Sequence, residues 1–179
     1  MLLTVTTTIR WDGILIEFAI IFAIVLLVAL INVLKLKRCF KAYDSRDWKY
    51  IIKQKSSLKF ISKSKKHYDD CMYLLAVANF ELYNDKEFVS YIQKLKSNKF
   101  LGMQLYYKIC CLIVNDINTA ELSRLMQELS LLDAEVSKKG YKLCQLLFKV
   151  RFEEYVCSQE ELEMLRQIQS DRIKKAFSL

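Results

Sequence analysis

The sequence predicts an all-α protein whose first helix is long and apolar enough to cross a membrane, on three observations. The 179 residues contain no proline and only three glycines, so the two strongest helix breakers are nearly absent. Gly13 to Leu34 reads GILIEFAIIFAIVLLVALINVL, an apolar run whose strongly polar members are Glu17 and Asn32. From Tyr43 onward apolar residues recur at three- and four-residue steps, the period of a helix that buries one stripe.

Taken in order, residues 1–12 form a short N-terminal segment expected on the extracytoplasmic side. Residues 13–34 are the transmembrane helix: at 1.5 Å per residue they cover about 33 Å, enough for a bilayer's hydrocarbon core. The run is too long for the apolar core of a cleaved signal peptide, and VLKLKRCFK offers no small-residue cleavage site, so an uncleaved signal-anchor is expected. Trp11 stands just before the span, where an indole lodges among headgroups. Glu17 lies about one turn inside, able to reach back to the interface or to pair with a polar group of another membrane helix. Ala19 and Ala23 form a small-xxx-small pair that permits close helix approach.

Residues 35–66 carry twelve Lys or Arg against two Asp, a net of +10, whereas the whole chain nets +8. Lys35, Lys37, Arg38 and Lys41 follow the span directly, and basic residues stay on the cytoplasmic side because translocating them is unfavourable. The expected topology is therefore single-pass, N-terminus outside, with a cytoplasmic domain. Orientation needs only those first charges, yet the excess continues through Lys53, Lys55, Lys59, Lys63 and Lys65. A basic helix over about 46–64 is expected to lie against an anionic lipid surface, gaining on the order of 1 kcal/mol per charge near the headgroups.

Residues 67–179 form the helical domain, with further helices expected at about 68–83, 86–97, 100–114, 119–131, 134–156 and 159–177. Polar punctuation sets the boundaries, and two starts, Asn118 with Glu121 and Ser158 with Glu161, have capping-box spacing. LLAVANFELYNDKEFVSYIQKL and LYYKICCLIVNDINTAELSRLMQEL resemble the tetratricopeptide repeat, a helical hairpin with a short Asn-Asp turn followed by a small packing residue. In the second copy Asn115, Asp116, Ile117 and Ala120 match that pattern. In the first, Ala76 fits the small position of the leading helix, and Phe88 stands where a small residue is expected. A third candidate, LCQLLFKVRFEEYVCSQEELEMLRQI, matches in hairpin rhythm. The resemblance implies a hairpin array whose concave face docks a peptide or helix of another protein. Carried over by register, Tyr73, Asn79, Tyr106, Lys108, Lys142 and Lys149 would line that groove.

The sequence offers little for catalysis. His67 is the single histidine and sits in a Lys-rich turn; the six cysteines include no C-x-x-C pair and read as small apolar residues kept reduced in the cytosol. Cys39, beside the membrane, is a candidate for acylation. No phosphate-cradling loop, G-x-S-x-G or H-E-x-x-H occurs. The lysines lack the aromatic-bearing sheet or reading helix of a nucleic-acid binder. The expectation is a membrane-anchored helical adaptor or assembly factor, not an enzyme, with no cofactor, no nucleic acid and no small-molecule substrate, binding a protein at or in the membrane. The alternative is an accessory subunit of an integral membrane complex that interacts through its span.

Overall fold

The computed structural model describes residues 11–179, with side chains from Ile16 onward, and every regular element among them is helical. Residues 1–10, most of the segment expected outside the membrane, lie outside the described residues. Helix α1 (Trp11–Asp44) is a single helix of 34 residues. Nothing in it breaks the hydrogen-bond ladder at Leu34, so the apolar run and the basic stretch share one rod. Its side chains from Ile16 to Ile31 are exposed all round, while Leu36, Cys39 and Ala42, spaced by three, are buried in the domain core. The last turns of the membrane-length helix are thus a structural part of the domain.

The chain then turns at Arg46 into α2 (Trp48–Lys53) and α3 (Lys55–Ile61). These replace the single helix expected over 46–64. Gln54, at ψ 8°, leaves helical geometry and lets Ile51 on one side and Leu58 and Ile61 on the other press inward. A short 3-10 turn (Lys65–His67) leads into α4 (Tyr68–Glu81), then α5 (Asp85–Ile92), a second 3-10 turn (Asn98–Phe100), α6 (Leu101–Val114), α7 (Ala120–Ser130) and α8 (Glu135–Phe152). Helices α9 (Gln159–Arg166) and α10 (Asp171–Ala176) replace the one helix expected over 159–177. Ser170 makes the break, its hydroxyl accepting from Ile173 N at 3.2 Å to start α10.

α4 is the centre. The sequence reading made it amphipathic; instead every residue from Cys71 to Glu81 is buried, because α1, α2, α3, α5 and α10 pack around it. α6 lies beyond α5 and packs on α7 and α8, and α9 sits at the far side of α8. Aromatic contacts knit the layers: Tyr43 Oη and Tyr73 Oη are 3.1 Å apart, Tyr73 stacks near Phe100, and Phe80 meets both Phe88 and Tyr107 with ring centroids 5.4 and 5.3 Å away. Phe88, out of pattern for a small packing position, fills the space between α4 and α5. Gly102 marks the closest approach of α6 to α8, where a Cβ would run into the Ser137 hydroxyl.

Helix ends follow one device. α1, α4, α6 and α10 each finish with a left-handed residue (Arg46, Tyr83, Asp116 and Ser178) and a hydrogen bond spanning five residues back, such as Asn84 N to Asn79 O at 2.9 Å and Ile117 N to Leu112 O at 2.9 Å. The Tyr83 and Asp116 turns are therefore equivalent, and each closes a helical pair. Of the two expected caps, Ser158 and Glu161 form a reciprocal capping box. The other does not form: α7 begins after Thr119, and Ala120, read as a packing position, is exposed.

α10 closes the fold on itself. Arg172, 3% exposed, donates to Phe80 O at 2.9 Å, pairs with Asp85 and stacks over Phe80 and Tyr83. Asn115 at the end of α6 donates to Asp85 Oδ2 at 3.0 Å, so one polar cluster ties α5, α6 and α10. Each member satisfies a group that burial would otherwise leave costly.

Candidate membrane face and protein-binding surface

The basic residues divide by what they touch. On α1, Lys37, Arg38 and Lys41 lie between the inward positions Leu36, Cys39 and Ala42 and are exposed. Lys35 is half-buried and donates to Ser57 Oγ at 3.2 Å, holding α3 alongside α1. Lys53, Lys59, Lys63 and Lys65 are exposed. Lys55 differs from its group: it donates to Glu87 Oε2 at 2.9 Å and lies over the Tyr91 ring, so its charge is spent on α5.

Because Lys35 and Leu36 anchor α3, the end of α3 and the turn after it run back beside the last apolar turns of α1. Phe60, Lys63 and His67 line one wall of a groove of about 480 Å³, with Ala29, Asn32 and Val33 forming the other. His67 Nδ1 stands 3.8 Å from Asp70 Oδ2. Sequence reading placed His67 in a solvated turn and gave Phe60 no role. The missed signal was the fold-back itself, which the unbroken α1 makes unavoidable.

On the span, Glu17, Ala19 and Ala23 are exposed, and no element among the described residues covers them. Trp11 belongs to α1, and its side chain lies outside the described set. Cys39 is fully buried against the domain, which removes it as an acylation candidate. All six cysteines are free thiols. Burial pushes the Cys71 and Cys111 thiols up to about 12.

The six residues assigned to a concave groove are not brought together. Tyr73 is 8% exposed beneath Tyr43 and Phe100, and Asn79 is 3% exposed with Nδ2 donating to Leu75 O at 2.7 Å, so neither can meet a partner. Burial holds the Tyr73 hydroxyl far above its ordinary range. The physical reason is that α4 is covered on all sides, with Tyr43 of α1, Phe100 of the second 3-10 turn and Tyr107 of α6 closing over Tyr73. Tyr106 is half-buried against Tyr107 and faces Gly140 of α8. Lys108 is half-buried in a shallow cleft with Phe88 and Glu121. Lys142 and Lys149 are exposed, and they do share a surface: both line a cleft with Glu161 and Met164 between α8 and α9. The cleft continues past Lys142 to Lys139 and Glu135 in a hollow of about 420 Å³. Lys149 lies over the Tyr155 ring at 5.2 Å, and Val156, 88% exposed, follows in the same loop.

A third cavity, of about 290 Å³, lies between the end of α1 and the start of α10 and is lined by Tyr43, Arg46, Trp48, Glu81 and Tyr107. The Trp48 indole N–H is buried without an acceptor. Glu81 Oε2 accepts from Arg172 N at 3.1 Å, and burial holds its carboxyl above the usual carboxylate range. Arg46 is drawn away to Asp171 at 2.8 Å. Among the described residues no cluster of three or more His, Cys, Asp or Glu could hold a metal ion.

Among the described residues one helix is long and apolar enough, by length and composition, to cross a membrane. Comparison with protein-family models, with curated proteins and with solved structures finds no match to this chain.

Proposed function

We propose that the protein is a membrane-anchored adaptor or assembly factor, with α1 as a single-pass signal-anchor, the N-terminus outside, and a tetratricopeptide-like helical domain held at the cytoplasmic face to bind another protein. The observation that carries this reading is the continuity of α1. An apolar stripe left bare on all sides from Ile16 to Ile31 requires cover of hydrocarbon character, and the same rod ends inside the domain core. The domain then has no flexible tether and meets partners in a restricted orientation. Exposed Lys37, Arg38, Lys41, Lys53, Lys59, Lys63 and Lys65 support contact with an anionic leaflet. The α8–α9 cleft, lined by Lys139, Lys142 and Lys149 against Glu135 and Glu161 and with apolar Leu143 and Met164 between them, is the surface we assign to an amphipathic segment of a partner.

A second reading keeps a specific observation: Glu17, Ala19 and Ala23 are left bare by the described residues, as an accessory subunit's packing face would be. Photo-crosslinking amino acids at Lys142 and Lys149, compared with Ala19 and Ala23, separate the two in native membranes. An adaptor gives adducts from α8 that survive replacement of residues 13–34 by an unrelated apolar sequence. Adducts confined to the span, and lost on that replacement, would transfer the function to the transmembrane helix.

A further inference from the structure

The groove between α1 and the end of α3 has a composition that its surroundings do not require. Its inner part is mostly apolar, formed by Ala29, Val33, Leu36 and Phe60 with the Asn32 amide among them; its other end, the mouth, is polar and basic, formed by Lys63, Ser64 and His67. Its volume, about 480 Å³, falls within the range of roughly 300–1,000 Å³ typical of small-ligand sites.

Three further observations bear on what fills it. Ala29 lies five residues, about 7 Å of helix, before the end of the apolar run, so the inner part opens at the depth of hydrocarbon and the mouth at the depth of headgroups. Phe60 is 53% exposed at that level, where an aromatic ring is favoured at a membrane boundary and costly in water. Lys63 Nζ lies over the Phe60 ring at 5.5 Å, which sets an ammonium at the junction of the apolar and polar parts. Among the described residues no carboxylate lines the groove; Asp69 is occupied by Lys96 N and Ser97 N at 2.9 and 3.1 Å, and Asp70 faces His67. Lys65 and Lys66, exposed in the adjoining turn, add to the positive field at the mouth.

We infer that this groove binds one anionic glycerophospholipid of the surrounding leaflet, with an acyl chain along Ala29, Val33 and Phe60 and the phosphate at Lys63, Ser64 and His67. The inference rests on reading α1 as a membrane span. It goes beyond general attraction to a charged surface, because it assigns a single lipid to a single groove. The bound lipid would cover the apolar face of Phe60 and fix the height at which the domain sits.

The test uses the full chain in nanodiscs of phosphatidylcholine doped with phosphatidylglycerol or phosphatidylcholine probes that carry the same photoreactive acyl chain. The expected result is several-fold stronger labelling of the peptides bearing Val33 and Phe60 by the anionic probe. Lys63→Gln with Lys65→Gln should reduce that labelling to the level of the neutral probe. Ala29→Trp should do the same by filling the groove from an exposed helix position, leaving labelling of Ile16 to Phe22 unchanged. Equal labelling by both probes, insensitive to Ala29→Trp, means an annular lipid only and overturns the proposal. So does loss of labelling to soluble glycerol phosphate, which would make the ligand a free phosphate ester. A chain that is extracted from native membranes by alkaline carbonate, and that labels nowhere along Ile16 to Phe22, overturns the span reading itself.

Discussion

Several residues hold conformations or ionisation states that the fold imposes on them. Glu154, just after α8, sits at φ 51° without a glycine's freedom, and it is exposed. A left-handed non-glycine residue costs about 1–2 kcal/mol, part of which glycine returns as extra entropy of the unfolded chain. Glu154→Gly should therefore stabilise the protein by about 0.5–1 kcal/mol, read as a rise of roughly 1–4 °C in the thermal midpoint in detergent. A lower midpoint would contradict the left-handed turn there. Glu81 is the opposite kind of case, a buried carboxyl whose burial raises its pKa above the ordinary value, outweighing the hydrogen bonds from Ser170 and Arg172 N. A raised folded pKa means that the stabilising contribution is complete below the unfolded value and is lost as pH rises through the folded one. Glu81→Gln keeps an acceptor for Arg172 N and removes the titration, so it should raise the midpoint at neutral pH and flatten its fall as pH rises above the usual carboxylate range. Asp85 titrates the other way: the hydrogen bond from Arg172 lowers its pKa, and its contribution, present above the usual carboxylate range, is lost only as pH falls through that lowered value. An unchanged pH profile in Glu81→Gln would mean that the carboxyl is solvated.

Among the elements, α1 carries the largest departure from what periodicity suggests. A domain that began at Tyr43 would lose Leu36, Cys39 and Ala42, all buried on the face that meets α2, α3 and α4. Removing Leu36 alone takes away a side chain worth about 1.5–3 kcal/mol of burial. A fragment starting at Lys35 should consequently fold cooperatively and melt well above one starting at Tyr43; equal midpoints would show that the end of α1 is only laid against the domain. Much of the rest was legible. The positions of α4 to α8 follow from three- and four-residue spacing, and the Ser158–Glu161 box is written in the residues that make it. What could not be read is long-range. Arg172 reaches Phe80 and Asp85 across about ninety residues of chain, and no local pattern announces that a C-terminal helix will return to cover α4. Asn79, assigned to a surface groove by register, is likewise buried, and its amide bonds one turn back along its own helix. Of the candidate site, the exposed lysines were legible as charge, and only Lys142 and Lys149 of the groove set remain side by side. The lipid-facing groove was invisible because its two walls are some thirty residues apart and meet only through the fold-back of α3.

For the whole molecule, orientation decides what every surface can meet. Basic residues crowd one end of the span, where Lys35, Lys37, Arg38 and Lys41 follow Leu34, and this asymmetry should keep the domain in the cytoplasm. The structure makes the measurement clean. Five of the six thiols are buried, and the two pushed up to about 12, Cys71 and Cys111, stay protonated and unreactive at neutral pH. Half-buried Cys157 is the one source of background, removed by Cys157→Ser. In that background, a Thr6→Cys variant should react with an impermeant maleimide on intact cells, although Thr6 itself lies outside the described residues. A Ser178→Cys variant, exposed at the end of α10, should react only after permeabilisation. Because α1 enters the core without a break, the Ser178 label reports on more than the C-terminus: the side that holds Ser178 also holds the α8–α9 cleft and the mouth of the lipid groove. The reverse pattern would place Lys63 and Lys142 on the far side of the membrane, removing the cytoplasmic adaptor and the reducing environment of the thiols together. It would leave the groove between α3 and the end of the span untouched, since that groove depends on the fold-back of α3 and not on which leaflet receives it.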